Sequence, residues 1–154
     1  MCHTIVNPVT VYHGTTRNKC LQIASDGEIK VTTVDNHNYL DTTCGYVYVT
    51  KRLCDAMDFS SRTAENGKYQ ITVFRITIDE SELLRDTDEA KWRSTLSPGG
   101  SGDCYRIGRN LKIGKDVIAV FCKSFGTNLR SCGNYMQAVQ YGEEEIPEDE
   151  WHKL

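Results

Sequence analysis

The spacing of apolar and polar positions along the chain predicts several short strands and two helices. Each helix follows one of the strands in the first half of the chain. Strands are expected where apolar residues alternate with polar ones, and helices where they recur at three- and four-residue intervals. Cys20, Ile23 and Ala24 have the helical spacing, and Gly27 follows as a natural stop, so a helix is predicted over 17–26. The predicted strands are 10–14, 28–34, 45–50, 68–78, 104–107 and 117–122.

A second helix is expected to follow the strand at 45–50. Thr50 can cap it, and an apolar stripe at Leu53, Ala56 and Met57 continues it until it fades near Ala64. The next strand, 68–78, is the longest, and its apolar positions change phase midway. Either both of its faces are covered, or a bulge lies near residues 73 and 74.

The remaining segments are shorter or less distinct. Acidic residues begin a helical turn over 79–87, and 94–102 is a flexible loop rich in glycine and serine. The continuous apolar run at 117–122 predicts a central, buried strand. Residues 136–139 fit a helix or a last strand, and 143–150 is expected to be a solvated, mobile acidic tail. Together the segments predict one α+β domain over 1–154.

Composition narrows the class of protein. A chain of 154 residues suffices for one domain with a real core, and a net charge of −3 argues against a large electrostatic surface for nucleic acid. No apolar run has the length of a membrane span, and the first residues lack a signal-peptide pattern, so we expect a cytoplasmic protein. The seven cysteines are irregularly spaced and contain no CxxC pair, which favours free thiols and no metal site.

Three segments carry candidate chemistry. His13-Gly14-Thr15 ends the first strand, where an imidazole and a bare backbone can face a ligand. Tyr46 and Tyr48 lie on one face of the strand at 45–50, because side chains alternate along a strand. The glycine-rich loop then leads through Asp103 into the strand at 104–107.

The order and separation of these segments resemble the ADP-ribosyltransferase superfamily of the diphtheria-toxin and poly-ADP-ribose-polymerase type. The similarity covers roughly residues 10 to 122. It includes the Tyr-His-Gly-Thr strand at 12–15, the helix ending in Ile23-Ala24-Ser25-Asp26-Gly27, the Tyr46-Val47-Tyr48-Val49 strand, and Ala56 in the helix that follows. The resemblance implies a split β-sheet core with two to four helices, and an enzyme that uses NAD as substrate.

The resemblance also implies roles for individual residues. His13 would bind ribose hydroxyls, and the backbone of Gly14 would pair with the carboxamide of nicotinamide, which a glycine lets approach closely. Tyr48 would stack on the nicotinamide ring, with Tyr46 as the alternative. Thr15 and Arg17 would bind elsewhere on the dinucleotide, although Thr15 or Thr16 could instead cap the first helix.

The carboxylate that stabilises an oxocarbenium-like state would come from the start of the late strand. Asp103 is the candidate, where the family usually has glutamate; Cys104 or Tyr105 could occupy the same position. Three consecutive acids are the fallback if the strand order differs: Glu143, Glu144 and Glu145.

The leading hypothesis is therefore an NAD-dependent mono-ADP-ribosyltransferase that modifies a protein or nucleic acid and releases nicotinamide. Its small size is similar to that of phage or bacterial effectors and toxins. A second hypothesis is an RNA 2′-phosphotransferase that uses Arg17, Arg52 and Arg62, but the strand at 45–50 lacks that family's histidines. A third is a catalytically degenerate module that binds a nucleotide or a partner protein.

Overall fold

The computed structural model describes residues 6–33, 43–61, 67–86 and 104–154. In these residues the chain forms three α-helices, a mostly antiparallel sheet of seven strands and a separate two-stranded ladder, so the predicted α+β class is confirmed. The elements are β1 (Pro8–Thr15), α1 (Arg17–Asp26), β2 (Glu28–Ile29), β3 (Val47–Thr50), α2 (Leu53–Ser61), β4 (Tyr69–Asp79), β5 (Leu84–Arg85), β6 (Cys104–Ile107), β7 (Leu111–Lys112), β8 (Val117–Gly126), α3 (Leu129–Gln140) and β9 (His152–Lys153).

The seven-stranded sheet has the order β5-β6-β3-β1-β4-β8-β9, and β2 pairs with β7. The central strand, β1, pairs to very different extents with its two neighbours, β4 and β3. β1 pairs with β4 along its whole length, from Pro8 opposite Asp79 to Thr15 opposite Thr72, whereas β1 and β3 pair at one position, Tyr12 opposite Thr50. The sheet therefore opens between β1 and β3 beyond that pair, and the residues after Tyr12 border a gap.

Strand β4 has a covered face on each side, which explains its change of phase. Ile71 and Val73 pack in a cluster with α2 and α3, while Phe74, Ile76 and Ile78 pack in a second cluster with α1. The alternative of two covered faces is thus correct. The irregularities in its pairing with β8 lie at residues 69/70 and 75/76, and the expected bulge at 73/74 is absent.

The local sequence accounts for the first helix. Thr16 caps α1 by accepting a hydrogen bond from the backbone N–H of Lys19, and Gly27 ends it in the left-handed conformation at φ 74°. The predicted bounds are confirmed, because both end signals lie in adjacent residues. The predicted apolar face is only partly right: Ile23 is buried, but Ala24 is exposed.

Three other predictions need adjustment, and a fourth, which left a helix or a strand open, is decided. Among the described residues, the strand expected over 28–34 is only Glu28–Ile29, and the helical turn expected over 79–87 is a 3₁₀ turn, Glu80–Glu82, followed by β5. Residues 34 and 87 lie outside the described residues. The apolar run at 117–122 belongs to a longer strand that lies next to the sheet edge, where β9 covers only two of its residues. Residues 136–139 are helical.

The acidic residues predicted to form a solvated tail over 143–150 are exposed, but the residues that follow them are docked on the sheet. Trp151 is only 6% exposed and packs against the rings of Tyr12 and Phe121, and β9 pairs with β8. Glu148 forms a bidentate ion pair with the Arg75 guanidinium, with N–O distances of 2.6 and 3.0 Å. The docking of Trp151 and the ion pair of Glu148 were not predicted, because their partners are distant in sequence.

In the described part of the chain, no helix is long and apolar enough to cross a membrane. The cysteines described there form no disulfide, and Cys104 and Cys132 are buried, as the sequence predicted for several of them.

Candidate functional site

A cavity of about 260 Å³ lies where the sheet opens between β1 and β3. Its wall combines the end of β1, one side of α1, both strands of the β3–β6 pair and a ring from α2. The wall residues used below are Tyr12, His13, Gly14, Thr15, Lys19, Lys30, Tyr46, Tyr48, Phe59, Asp86 and Cys104.

His13 joins the two sides of the opening. Its Nδ1 lies 2.6 Å from the backbone carbonyl oxygen of Tyr48. Because a carbonyl oxygen can only accept, Nδ1 carries the proton and donates it, which leaves Nε2 as an acceptor. Nε2 has no hydrogen-bond partner among the described residues, so it is available to a hydroxyl donor in the cavity.

The electrostatics keep this imidazole neutral. Burial lowers the pKa of His13 below its usual 6.5, the hydrogen bond to Tyr48 partly opposes this effect, and the positive charge of Lys19 lowers the pKa further. A neutral ring is the form in which Nε2 can accept. The sequence prediction of a histidine at a strand edge facing a ligand is consistent with this placement.

Gly14 has a structural reason to be glycine. A Cβ atom built there would overlap the carbonyl oxygen of Ala56 on α2 and lie 2.8 Å from its carbonyl carbon. The bare α-carbon therefore lets α2 pack directly on β1. Gly14 also borders the cavity, and its expected role in the approach of a flat ring stays a prediction.

Both candidate tyrosines line the cavity, but their surroundings differ. The hydroxyl of Tyr48 donates to the carbonyl of Thr43 at 2.7 Å, which fixes the far end of its ring. The Arg106 guanidinium lies 4.1 Å from the ring centroid of Tyr46 and covers one of its faces. Of the two, Tyr48 is the better candidate for stacking on a ligand.

Thr15 contributes an unsatisfied hydroxyl to the wall. The residue is 2% exposed, and its Oγ1 has no hydrogen-bond partner within the ranges that the structure covers. Leaving a buried hydroxyl unpaired costs about 1–3 kcal/mol, so a ligand that bonds to it would recover that free energy. Capping of α1 falls to Thr16, and Thr15 remains available for binding.

The cations in the wall, Lys19 and Lys30, do not include the arginine that the sequence suggested. Arg17 is exposed and is not among the wall residues, whereas Lys19, in the first turn of α1, is half-buried there. Burial lowers the pKa of the Lys19 ammonium. Arg52 is also outside the wall, and Arg62 is outside the described residues.

The candidates for the catalytic carboxylate and its alternatives differ in their position relative to the cavity. Asp103 lies outside the described residues, as does the loop at 94–102. Cys104 lines the cavity, while Tyr105 packs on the opposite face of β6. The fallback acids Glu143, Glu144 and Glu145 are exposed, lie outside the wall and follow α3, so the structure does not support them.

Two wall residues were missed by sequence reasoning. Phe59 on α2 adds an aromatic ring to the cavity, and Asp86, 5% exposed, adds a buried carboxylate beside Cys104. The helical stripe at Leu53, Ala56 and Met57 gave no reason to single out Phe59. Asp86 follows a strand of only two residues, too short for its alternation to be recognised.

Comparisons with protein-family models, with curated proteins and with solved structures find no match to this chain. Among the residues that the structure describes, no group of three or more His, Cys, Asp or Glu side chains could hold a metal ion.

Proposed function

We propose that the protein is an NAD-dependent mono-ADP-ribosyltransferase that releases nicotinamide and modifies a cellular protein or nucleic acid. The observation that carries the proposal is the neutral His13, which bonds through Nδ1 to Tyr48 across the opening of the sheet and offers Nε2 to the cavity. The open junction between β1 and β3 is consistent with the split sheet that the resemblance implies.

The volume of the cavity and its polar groups are suited to binding part of NAD. At about 260 Å³ it lies just under the usual range of about 300–1,000 Å³ for small-molecule sites, so it suits one ring and its sugar better than a whole dinucleotide. His13 Nε2 would accept from a ribose hydroxyl, and Thr15 Oγ1 would gain the partner that it lacks. Tyr48 and Phe59 would contact the nicotinamide ring, and Lys19 would face a phosphate.

In the reaction, the bond between nicotinamide and ribose breaks, and nicotinamide leaves with the electron pair as a neutral molecule. A nucleophile of the acceptor forms the new bond to the same carbon and loses its proton. The chain's own residues bind and orient: the Tyr48 carbonyl fixes the His13 ring, and the buried wall limits access of water to the sugar. By the resemblance, Asp103 supplies the carboxylate.

The direct test is to incubate the protein with NAD labelled in its adenylate part, with and without a cell lysate, and to measure free nicotinamide and labelled macromolecules. We expect nicotinamide release and label on protein or nucleic acid. His13→Ala should lower nicotinamide release about 100-fold or more, since it removes the group that positions the sugar.

His152→Ala is the matched control, because His152 is exposed on β9 and outside the cavity wall. It should release nicotinamide at the wild-type rate. Unchanged turnover in His13→Ala would refute the assignment of the site. Binding of NAD without release of nicotinamide would instead identify a non-catalytic nucleotide-binding module.

A further inference from the structure

Two cysteines that are far apart in the chain lie in contact between α1 and β8. The thiol of Cys20 on α1 forms a hydrogen bond with the sulfur of Cys122 on β8, and neither cysteine forms a disulfide. The wall of the cavity includes neither residue. The pair is therefore a second cluster of reactive side chains, separate from the candidate site.

The register of the sheet directs the side chain of Cys122 towards α1. Cys122 lies opposite Thr72 of β4, and Thr72 lies opposite Thr15 of β1. Residues directly opposite in paired strands share a face, so these three side chains form one row. Thr72 has the same alternation as Phe74, which packs in a cluster with Ile23 of α1. The row therefore lies on the face of the sheet that α1 covers.

The start of α1 places Cys20 over this row. The helix begins two residues after Thr15, and the backbone N–H of Cys20 donates to the carbonyl of Thr16 at 2.9 Å, the bond that closes the first turn. The Cys20 side chain packs against the cluster that contains Ile23. The packing of α1 on the sheet thus brings the two sulfurs together.

The two thiols differ in their access to solvent. β9 pairs with β8 at Ala119 and Val120, and Cys122, beyond this pairing, is exposed. Cys20 is half-buried between α1 and the sheet. A reagent in solution therefore reaches Cys122 first.

The surroundings also favour the thiolate form of Cys122. The hydrogen bond from Cys20 lowers the pKa of the Cys122 thiol to about 6; partial burial of the sulfur opposes this shift, and the positive charges of His152 and Arg17 contribute to it. The same hydrogen bond, together with burial, raises the pKa of the Cys20 thiol. The proton of the pair therefore stays on Cys20.

We propose that Cys122 is a site of thiol–disulfide exchange with small-molecule disulfides, and that Cys20 is its resolving thiol. A thiolate that solvent reaches, with a second thiol in contact, is the arrangement that this exchange requires. The product is a disulfide that joins α1 to β8. The proposal does not depend on the function proposed for the cavity.

Oxidised glutathione serves as the example of such a disulfide. The Cys122 thiolate attacks one of its sulfurs, a mixed disulfide forms, and one glutathione leaves as a thiolate that takes up a proton from water. Cys20 then loses its proton and attacks the sulfur of Cys122, and the second glutathione leaves as a thiolate and takes up that proton. The two cysteines are oxidised to one disulfide, and one molecule of oxidised glutathione is reduced to two of glutathione.

The disulfide ties the first turn of α1 to the sheet. Lys19 lies in that turn, next to Cys20, and belongs to the wall of the cavity. Oxidation therefore limits the movement of one side of the cavity. In a reducing compartment a disulfide of this kind is transient, which suits a redox-sensing role.

The test is to incubate the reduced protein with oxidised glutathione, quench with acid, alkylate the remaining thiols and map the peptides by mass spectrometry. We expect a disulfide between the peptides that contain Cys20 and Cys122. Cys20→Ser should instead accumulate a mixed disulfide with glutathione at Cys122, because the resolving thiol is missing. Cys122→Ser should slow the oxidation of Cys20 at least about tenfold, because it removes the attacking thiolate.

A second measurement uses the wild-type protein and tests the thiolate directly. At pH 6, iodoacetamide should alkylate Cys122 about tenfold faster in the folded protein than in the protein unfolded by urea. An ordinary thiol is almost wholly protonated at this pH, and the larger thiolate fraction outweighs the lower nucleophilicity of a more acidic thiol.

Cys44→Ser is the matched control, because Cys44 is also exposed but precedes β3, which β1 and β4 separate from β8. It should leave the rate of disulfide formation unchanged. Absence of the disulfide between Cys20 and Cys122 in the wild-type protein, or oxidation of Cys20 at an unchanged rate in Cys122→Ser, would overturn the proposal. Alkylation of Cys122 at pH 6 that is no faster in the folded protein than in urea would overturn it too.

Discussion

At the scale of the single residue, the protonation state of His13 decides what the cavity can bind. Burial and the nearby Lys19 lower its pKa from 6.5, so the ring titrates below that value. We expect the ring resonances of His13, followed by NMR, to titrate with a midpoint below 6.5. The NAD dissociation constant should rise as pH falls through that midpoint, because the protonated Nε2 can no longer accept.

The same shift has a consequence for stability. Below pH 6.5 the unfolded chain binds a proton at this histidine more readily than the folded chain does, so acid lowers the free energy of unfolding. His13→Ala should lack this contribution. A titration midpoint above 6.5 in the folded protein would contradict a half-buried imidazole that is neutral at pH 7.

At the scale of elements, the contact between α2 and β1 depends on Gly14. Gly14→Ala should lower the free energy of unfolding by more than about 2 kcal/mol, because the new methyl group meets the backbone of Ala56 and Ser60 and α2 must move. The measurement is urea denaturation. The shift of α2 would also displace Phe59 from the cavity.

Gly133 is the matched control for this substitution. It lies inside α3, and a Cβ atom there meets nothing within 4 Å. Gly133→Ala should therefore raise the free energy of unfolding by up to about 1 kcal/mol, as alanine favours helix. Equal effects of the two substitutions would refute the account given for Gly14.

At the scale of the whole molecule, Trp151 ties the end of the chain to the sheet. It packs against Tyr12 of β1 and Phe121 of β8, and the Arg75 guanidinium of β4 lies 4.7 Å from its ring centroid. Trp151→Ala should lower the free energy of unfolding by about 3–5 kcal/mol, measured by urea denaturation. Leu154→Ala, at a side chain that is 44% exposed, should change it by less than about 0.5 kcal/mol.

A loss as small as that of Leu154→Ala would show that the C-terminal segment is not part of the core. The predicted loss would instead make it a structural part of the domain. Tyr12 precedes His13, so the segment also supports the strand that carries the candidate site.

Elements with strong local patterns were predictable from the sequence. The bounds of α1 follow from Thr16 and Gly27, which cap its two ends. The strand Cys104–Ile107 was predicted from the types of its own four residues. Errors arose where the outcome depends on distant partners. In the described part of the segment 28–34, strand forms only where β7 pairs with it. The docking of Trp151 depends on residues 30 and 139 positions earlier.

For the candidate site, too, some features follow from local sequence and others depend on distant partners. The sequence alone determined that His13 and Gly14 lie at the end of a strand and that the fold is α+β, because alternation and turn residues act over a few positions. Only the tertiary structure decided that β1 and β3 separate after Tyr12, that the Tyr48 carbonyl holds His13 Nδ1, and that Asp86 reaches the cavity. Strand order and register depend on pairing between segments far apart in the chain, which no local pattern specifies.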